Sequence, residues 1–436
     1  MPNESKTTLD LRTATAFVIA AMIGTGVFTT LGFQVADIRS ASAVMMLWII
    51  GGVIALCGAL TYGELGAALP RSGGEYNILT RVYSPALGFL AGWVSATVGF
   101  AGPAALAAMA LASYSAAIVP GVAENHLAAG TVLTFSILHA SSLRAGTALQ
   151  KVLTALKVLL ILVFALSAFT VDSPQSVPLV PGGSDLAFMT GSGYAVALIF
   201  VSYAYTGWNS AIYIVGELDR PSQTLPRALL LGTGVVTVLY VLLNYAFLYT
   251  VPIDDLAGQI EVGFLSGAQI FGEAGGRITA SIIVVLLAST VSAYIFLGPR
   301  ILAVMGEDVP ALGWLSTRSA RGLPVNAFVL QLVLSLAFIY LFSFDQVLVY
   351  ASILLVTIST LAVAGVYVLR WTQPDLPRPY RTWGYPYTPA IFLTVNVWML
   401  TFTLTDRTFE SLVGLAILVV GMAIYAVLNQ LKTSGA

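Results

Sequence analysis

Ile23-Gly24-Thr25-Gly26-Val27-Phe28 lies inside a run of apolar residues. A glycine in a helix interior costs about 1 kcal/mol relative to alanine. Two of them, two positions apart, loosen the helix where they stand. A close-packing helix pair would space its small residues four apart instead. Backbone groups freed within an apolar medium are tolerated only where they line a cavity or meet a polar partner. A second island has the same character: Ser202-Tyr203-Ala204-Tyr205-Thr206-Gly207-Trp208-Asn209-Ser210, set between the apolar stretches Val196–Val201 and Ala211–Val215. Small, polar and aromatic residues alternate there, and a helix break is expected near Gly207.

Lys157 is the third residue with chemistry to do. It lies in Thr154-Ala155-Leu156-Lys157-Val158-Leu159-Leu160, about ten residues into an apolar run and too deep to snorkel easily. A charge at that depth costs roughly 2.5–3.5 kcal/mol on insertion scales, so it needs a partner and a purpose. Glu64 and Glu217 come near the ends of apolar runs and are expected to form ion pairs with arginines. His126 and His139 have no cysteine or carboxylate cluster beside them, so no metal site and no cofactor are expected. Cys57 is the single cysteine and reads as a small packing residue, which excludes an intramolecular disulfide. No nucleophile–base set and no nucleotide-binding loop is present, which argues against an enzyme and against nucleic acid as a partner.

The elements that position these residues follow from composition. Of the 436 residues, 58% are hydrophobic and 9% charged, against about 25% charged in soluble domains. The expected class is an all-α polytopic membrane protein, with the lipid bilayer as its solvent. The polar start, Met1 to Asp10, lacks the sequence of regions of a cleavable signal, so the first apolar run is expected to stay and span. Windows of about 20 apolar residues recur twelve times, over 13–37, 43–69, 85–119, 125–142, 147–170, 187–217, 226–250, 274–304, 324–342, 346–371, 386–405 and 408–430. The third, sixth and eighth are longer than one straight crossing needs. With the N-terminus inside, fifteen of the 19 Lys and Arg fall on the inner side, from Lys6 and Arg12 through Arg144 and Arg321 to Arg381 and Lys432. Arg39, Arg277 and Arg407 fall outside, and Lys157 within a span. This asymmetry supports twelve transmembrane helices with both termini cytoplasmic in the cell's inner membrane.

The two breaks fall in spans one and six, five spans apart. Tandem repeats with an odd number of spans face opposite ways across the membrane. Interrupted helices at matching places in two such halves point to a transporter's binding site. The expected organisation is a cytoplasmic segment 1–12, a ten-helix core 13–371 with repeats 13–170 and 187–371, two additional helices within 386–430, and a cytoplasmic tail 431–436.

Five stretches in order resemble the amino acid–polyamine–organocation superfamily, in particular its L-amino acid transporter branch and bacterial relatives. They are Ile23 to Phe28; Gly58-Ala59-Leu60-Thr61-Tyr62-Gly63-Glu64-Leu65-Gly66 with Pro70-Arg71-Ser72-Gly73-Gly74-Glu75-Tyr76; Gly88-Phe89-Leu90-Ala91-Gly92-Trp93; Tyr205-Thr206-Gly207-Trp208-Asn209 with Gly216-Glu217-Leu218 and Thr224-Leu225-Pro226-Arg227; and the Pro- and Arg-rich stretch from Arg370 to Pro386. The resemblance implies a leucine-transporter-like fold with a 5+5 inverted repeat. It implies that a substrate carboxylate lies on the backbone N–H groups near Gly24, Thr25 and Gly26, and that the ammonium meets carbonyls around Tyr203, Ala204 and Thr206. It also implies a gate at Tyr203, where relatives commonly carry Phe. Helix-terminus physics agrees, because a half-helix start offers N–H groups and a half-helix end offers carbonyls. Lys157 is similar in position to a lysine on the fifth helix of sodium-independent relatives, which occupies the space of a sodium ion. Its implied partners are carbonyls near Met22 and Ile23 and hydroxyls among Ser289, Thr290 and Ser292. Animal members join a single-span subunit through an extracellular cysteine, which this sequence does not offer, so no disulfide-linked ancillary subunit is expected.

The leading expectation is a sodium-independent carrier of neutral amino acids, either an exchanger or proton-linked. A carrier of cationic amino acids or polyamines would want a carboxylate in the pocket, and none stands near either break in sequence. A channel would not need the breaks. A membrane sensor of amino acids stays open.

Overall fold

A computed structural model describes residues 9–141, 147–319 and 322–434. Residues 1–8 and 435–436, with Lys6, Arg144 and Arg321 of the inner basic set, lie outside the described residues, as do the side chains of Lys151 and Lys432. Each of the twelve apolar windows coincides with a helix or an interrupted helix. Eight are long and apolar enough to cross a membrane by length and composition: Leu11–Thr29, Ala41–Ala68, Pro85–Ile118, Pro221–Thr250, Val262–Asp308, Phe344–Thr372, Tyr387–Asp406 and Thr408–Gln430. Three shorter apolar helices, Thr154–Thr170, Ser192–Ala204 and Val325–Leu341, together with Glu124–Ser141, take the other positions. We number these spans one to twelve in chain order.

Local signals set the helix starts. The Asp10 carboxylate accepts the Thr13 N–H at 2.9 Å and caps span one. The Ser40 hydroxyl accepts the Ala43 N–H at 3.1 Å and caps span two. Both leave fewer first-turn donors without partners. The third and sixth over-long windows turn out to be interrupted helices, whereas the eighth, 274–304, is unbroken and begins just after a break. Span three opens into a wider π-helical turn over Ser95–Gly99, where Pro103 removes the N–H that would close on the Gly99 carbonyl. Span six stops being α-helical at Ala204. Span eight is divided at Gly272, whose φ is 74°.

Span two packs along span seven, and span three along span eight, as the most extensive helix–helix contacts of the bundle. In both cases the partner comes five spans later. Span one packs on span seven and on the second half of span six. At one end of the bundle Leu9 exchanges backbone hydrogen bonds with Glu217 and Asp219, at 2.8 and 2.9 Å. This puts the start of span one beside the end of span six. Aliphatic side chains such as Leu166 on span five and Val238 on span seven face outward, as helices solvated by lipid require.

Candidate functional site

Span one breaks where the glycines stand. Its first helix, Leu11–Met22, ends at Ile23, and a new helical turn, Gly26–Thr29, follows. The Gly24 N–H turns back to the Met22 carbonyl at 2.7 Å. The opening N–H groups of the second segment have no acceptor within it. The buried Thr25 hydroxyl beside them has no hydrogen-bond partner among the described residues.

Span six opens over Tyr205–Asn209 and continues as the tighter helix Ser210–Glu217. Gly207 has φ 104°, a left-handed conformation that glycine adopts readily. A Cβ there would come within 2.7 Å of the Ala21 carbonyl carbon and oxygen, so span six rests on the backbone of span one. Gly26 makes the converse contact: its Cβ would lie 2.4 Å from the Ala204 Cα. The Tyr203 carbonyl is taken by the Thr206 N–H at 2.9 Å. No backbone hydrogen bond among the described residues reaches the Ala204 or Thr206 carbonyls.

A cavity of about 460 Å³ lies at these breaks, within the roughly 300–1,000 Å³ usual for small-molecule sites. Gly24, Thr206, Gly207, Trp208 and Asn209 line it, as do Lys157 and Thr290. Met22, Ile23, Thr25, Gly26, Tyr203, Ala204 and Ser289 are buried around the breaks and on span eight without lining it. The cavity runs toward Ser72, Glu217 and Arg300, at the end of the bundle where Leu9 meets Glu217.

The other end is closed by polar ties between loops and helix ends. Arg39 pairs with Asp254 at 2.8 Å. Asp185 accepts both Ser40 and Ser42 hydroxyls at 2.7 Å. The Ser42 and Ser40 hydroxyls, with the Gly182 N–H, hold the Asp185 carboxyl below its ordinary pKa. Deeper in, Tyr114 donates to the Phe28 carbonyl at 2.7 Å and accepts the Gly263 N–H at 3.0 Å.

The Lys157 ammonium donates to the Ile23 carbonyl at 2.8 Å and to the Thr290 hydroxyl at 2.9 Å. It thus joins span five to the break in span one and to span eight. Among its expected partners, Met22 and Ser292 are placed otherwise. The Met22 carbonyl accepts the Tyr240 hydroxyl at 2.6 Å. Ser292 pairs with His139 at 2.8 Å. Two residues along a helix is about 200° of rotation, so Ser292 points away from the face that carries Thr290.

Glu64 is fully buried and takes Arg370 in a two-pronged contact, at 2.8 and 2.7 Å. Glu217 instead lines the cavity mouth.

The structure adds residues that the sequence does not single out. Tyr240, on span seven, is one. Glu75 is the other, and it corrects the expectation that the pocket holds no carboxylate. It lines the cavity and accepts hydrogen bonds from Asn209, Tyr213 and, at 3.1 Å, Tyr62. It comes from the Ser72-Gly73-Gly74-Glu75 turn, far from either break in sequence. No Lys or Arg forms an ion pair with it among the described residues.

A profile of the family described as amino acid permease matches residues 9–427. The chain belongs to the amino acid permease family. Among curated relatives of this permease is the rat large neutral amino acids transporter small subunit 2, 27% identical over 432 residues, covering 96% of this chain and 80% of the relative. The mouse b(0,+)-type amino acid transporter 1 is 26% identical over 421 residues, covering 94% and 85%. The mouse Asc-type amino acid transporter 1 is 25% identical over 433 residues, covering 96% and 81%. In this permease three of the five stretches quoted above, those holding Gly24, Ser72 to Tyr76, and Tyr205 to Asn209, supply lining residues of the cavity.

Proposed function

We propose that this permease is a sodium-independent carrier of neutral L-amino acids that works by alternating access, as an exchanger or proton-linked. The carrying observation is the Lys157 ammonium held between the Ile23 carbonyl and Thr290. A fixed cation there repels Na⁺ and occupies carbonyl and hydroxyl oxygens that a sodium ion would use. The substrate carboxylate is read onto the N–H groups around Gly24, Thr25 and Gly26, and its ammonium onto the carbonyls around Ala204 and Thr206, with Gly24 and Thr206 the members of each set that line the cavity. The name of the rat relative supports large neutral amino acids as cargo, and those of the other two support amino acids.

The basic-residue asymmetry supports an inner-membrane protein with both termini cytoplasmic. On that reading the cavity opens inward. The pairing of span two with seven and of span three with eight supports a ten-helix inverted-repeat core of 13–371. Burial of the single cysteine, Cys57, in span two supports a carrier without a disulfide-linked partner.

A second reading has one observation behind it. Glu75 is a cavity carboxylate without a basic partner among the described residues, which is what a cationic side chain would seek. Its three neutral donors already engage it, which favours the neutral reading. The deciding experiment is uptake of a labelled amino acid panel into proteoliposomes, varying sodium, pH gradient and internal substrate. Neutral amino acid uptake that persists in choline supports the proposal, and an absolute sodium requirement sinks it.

A further inference from the structure

By sequence, span eleven is one of two helices added to the ten-helix core. One face of it walls the cavity. Phe392, Asn396 and Met399 are all buried and share that face, being four and three residues apart. The Phe392 ring lies 5.9 Å from Trp208, and the Met399 sulfur accepts the Ser202 hydroxyl at 3.5 Å. Spans six and eleven therefore run antiparallel here, and Asn396 stands at the depth between Trp208 and Ser202, the stretch that holds Thr206. Both Asn396 and Thr206 line the cavity.

Asn396 is 2% exposed, and its carboxamide stands at the cavity wall, open to whatever fills the cavity. A carboxamide carries two donors and an acceptor, and leaving them unpaired in a buried place is destabilising. Leucine or methionine would pack against Phe392 and Met399 without that penalty. The amide facing the cavity is explained by a ligand that completes its hydrogen bonds.

We propose that Asn396, with the Thr206 hydroxyl at the same depth, forms a side-chain subsite for amino acids bearing a hydroxyl or carboxamide. Trp208 and Phe392 bound it on one side and pack on the apolar stem. This rests on the reading of the two breaks as the site for the substrate's backbone groups. It deepens that reading by naming the preferred side chains.

The test compares near-isosteric pairs, threonine with valine and glutamine with methionine, as competitors of labelled leucine uptake in proteoliposomes. In wild type the polar member should compete about five- to thirtyfold better, the value of one to two buried hydrogen bonds. In Asn396→Leu both ratios should fall to about one or invert. Asn396→Ala should shift them the same way without adding bulk. Ratios in either variant equal to those of wild type overturn the subsite. So does a wild type that treats each pair alike, an outcome that needs no variant to fold. A wild type in which no amino acid is taken up overturns the parent reading. Uptake with Asn396-independent ratios overturns the subsite alone.

Discussion

The Lys157 ammonium lies 2.8 Å from the Ile23 carbonyl, the group at which the first half of span one ends. A hydrogen bond to a buried charge contributes about 1.5–3 kcal/mol, and the second bond, to Thr290, ties the same nitrogen to span eight. Lys157→Ala should lower turnover at least about tenfold, and wild-type uptake should be equal in sodium, potassium or choline. Both are read as initial rates in proteoliposomes. Equal flux in wild type and variant would remove Lys157 from the mechanism.

Gly24 and Gly26 separate packing from ligand approach. Gly26 abuts Ala204 so closely that any side chain must displace span six, so Gly26→Val should reduce folded yield and thermal stability as well as binding. At Gly24 a Cβ would meet only Thr290 Cγ2 at 3.7 Å and the Met22 oxygen at 3.8 Å. Gly24→Ala should keep a wild-type melting curve and weaken substrate affinity about tenfold. Normal affinity in that variant would move the carboxylate away from this backbone.

Thr206 lines the cavity, and its hydroxyl donates to the Ser202 carbonyl at 3.3 Å. Thr206→Gly should open space beside the substrate's side chain. Uptake of leucine and phenylalanine should rise relative to alanine. An unchanged ranking of the three would show that the side chain points elsewhere.

Arginine, lysine and putrescine should compete poorly with a labelled neutral substrate in wild type. If arginine competes strongly, Glu75 is the carboxylate responsible. Glu75→Gln should then abolish arginine competition while neutral amino acids continue to compete. Competition by arginine in both proteins would demand another anion.

Asp185 allows a prediction about pH. Its carboxyl is held below the ordinary value by Ser42 and Ser40, so its ties are complete above the ordinary carboxylate range. They weaken only as pH falls through the lowered pKa, below about 4. Phe33 lies on the segment Leu31–Asp37 that follows the break in span one. Labelling of Phe33→Cys by an impermeant maleimide, in a Cys57→Ser background and divided at each pH by that of the unfolded variant because only the thiolate reacts, should not change between pH 8 and 5. Asp185→Ala should raise that labelling at every pH in the range. A rise between pH 8 and 5 with Asp185 intact would place the closing ties elsewhere.

The spans are legible in the sequence because each buries about 20 apolar residues in one run, and the break in span one because glycines two apart serve no packing motif. The surplus length of spans three, six and eight is legible too. Its cause in span three, a π turn tied to Pro103, leaves no mark beyond the proline itself. Glu75 and Tyr240 escape notice because Glu75 reaches the cavity, and Tyr240 the Met22 carbonyl, from elements distant in sequence, and their neighbours in the chain carry no sign of it. Ser292 can be set aside from helical rotation alone. Asn396 stands in plain view as an amide within an apolar window. Nothing local says which way span eleven turns it.

Gly207 rests on Ala21, and Gly26 on Ala204, each glycine seated on the other helix's main chain. Two points of backbone contact leave a pair of rods little freedom except rotation about the line through those points. Spans one and six therefore cannot slide past one another without lifting both contacts together. A cycle that swings the first half of span one must carry the second half of span six along. The joints that yield are then the side-chain hydrogen bonds to the Ile23 and Met22 carbonyls, which rotate and re-form more readily than packed main chain.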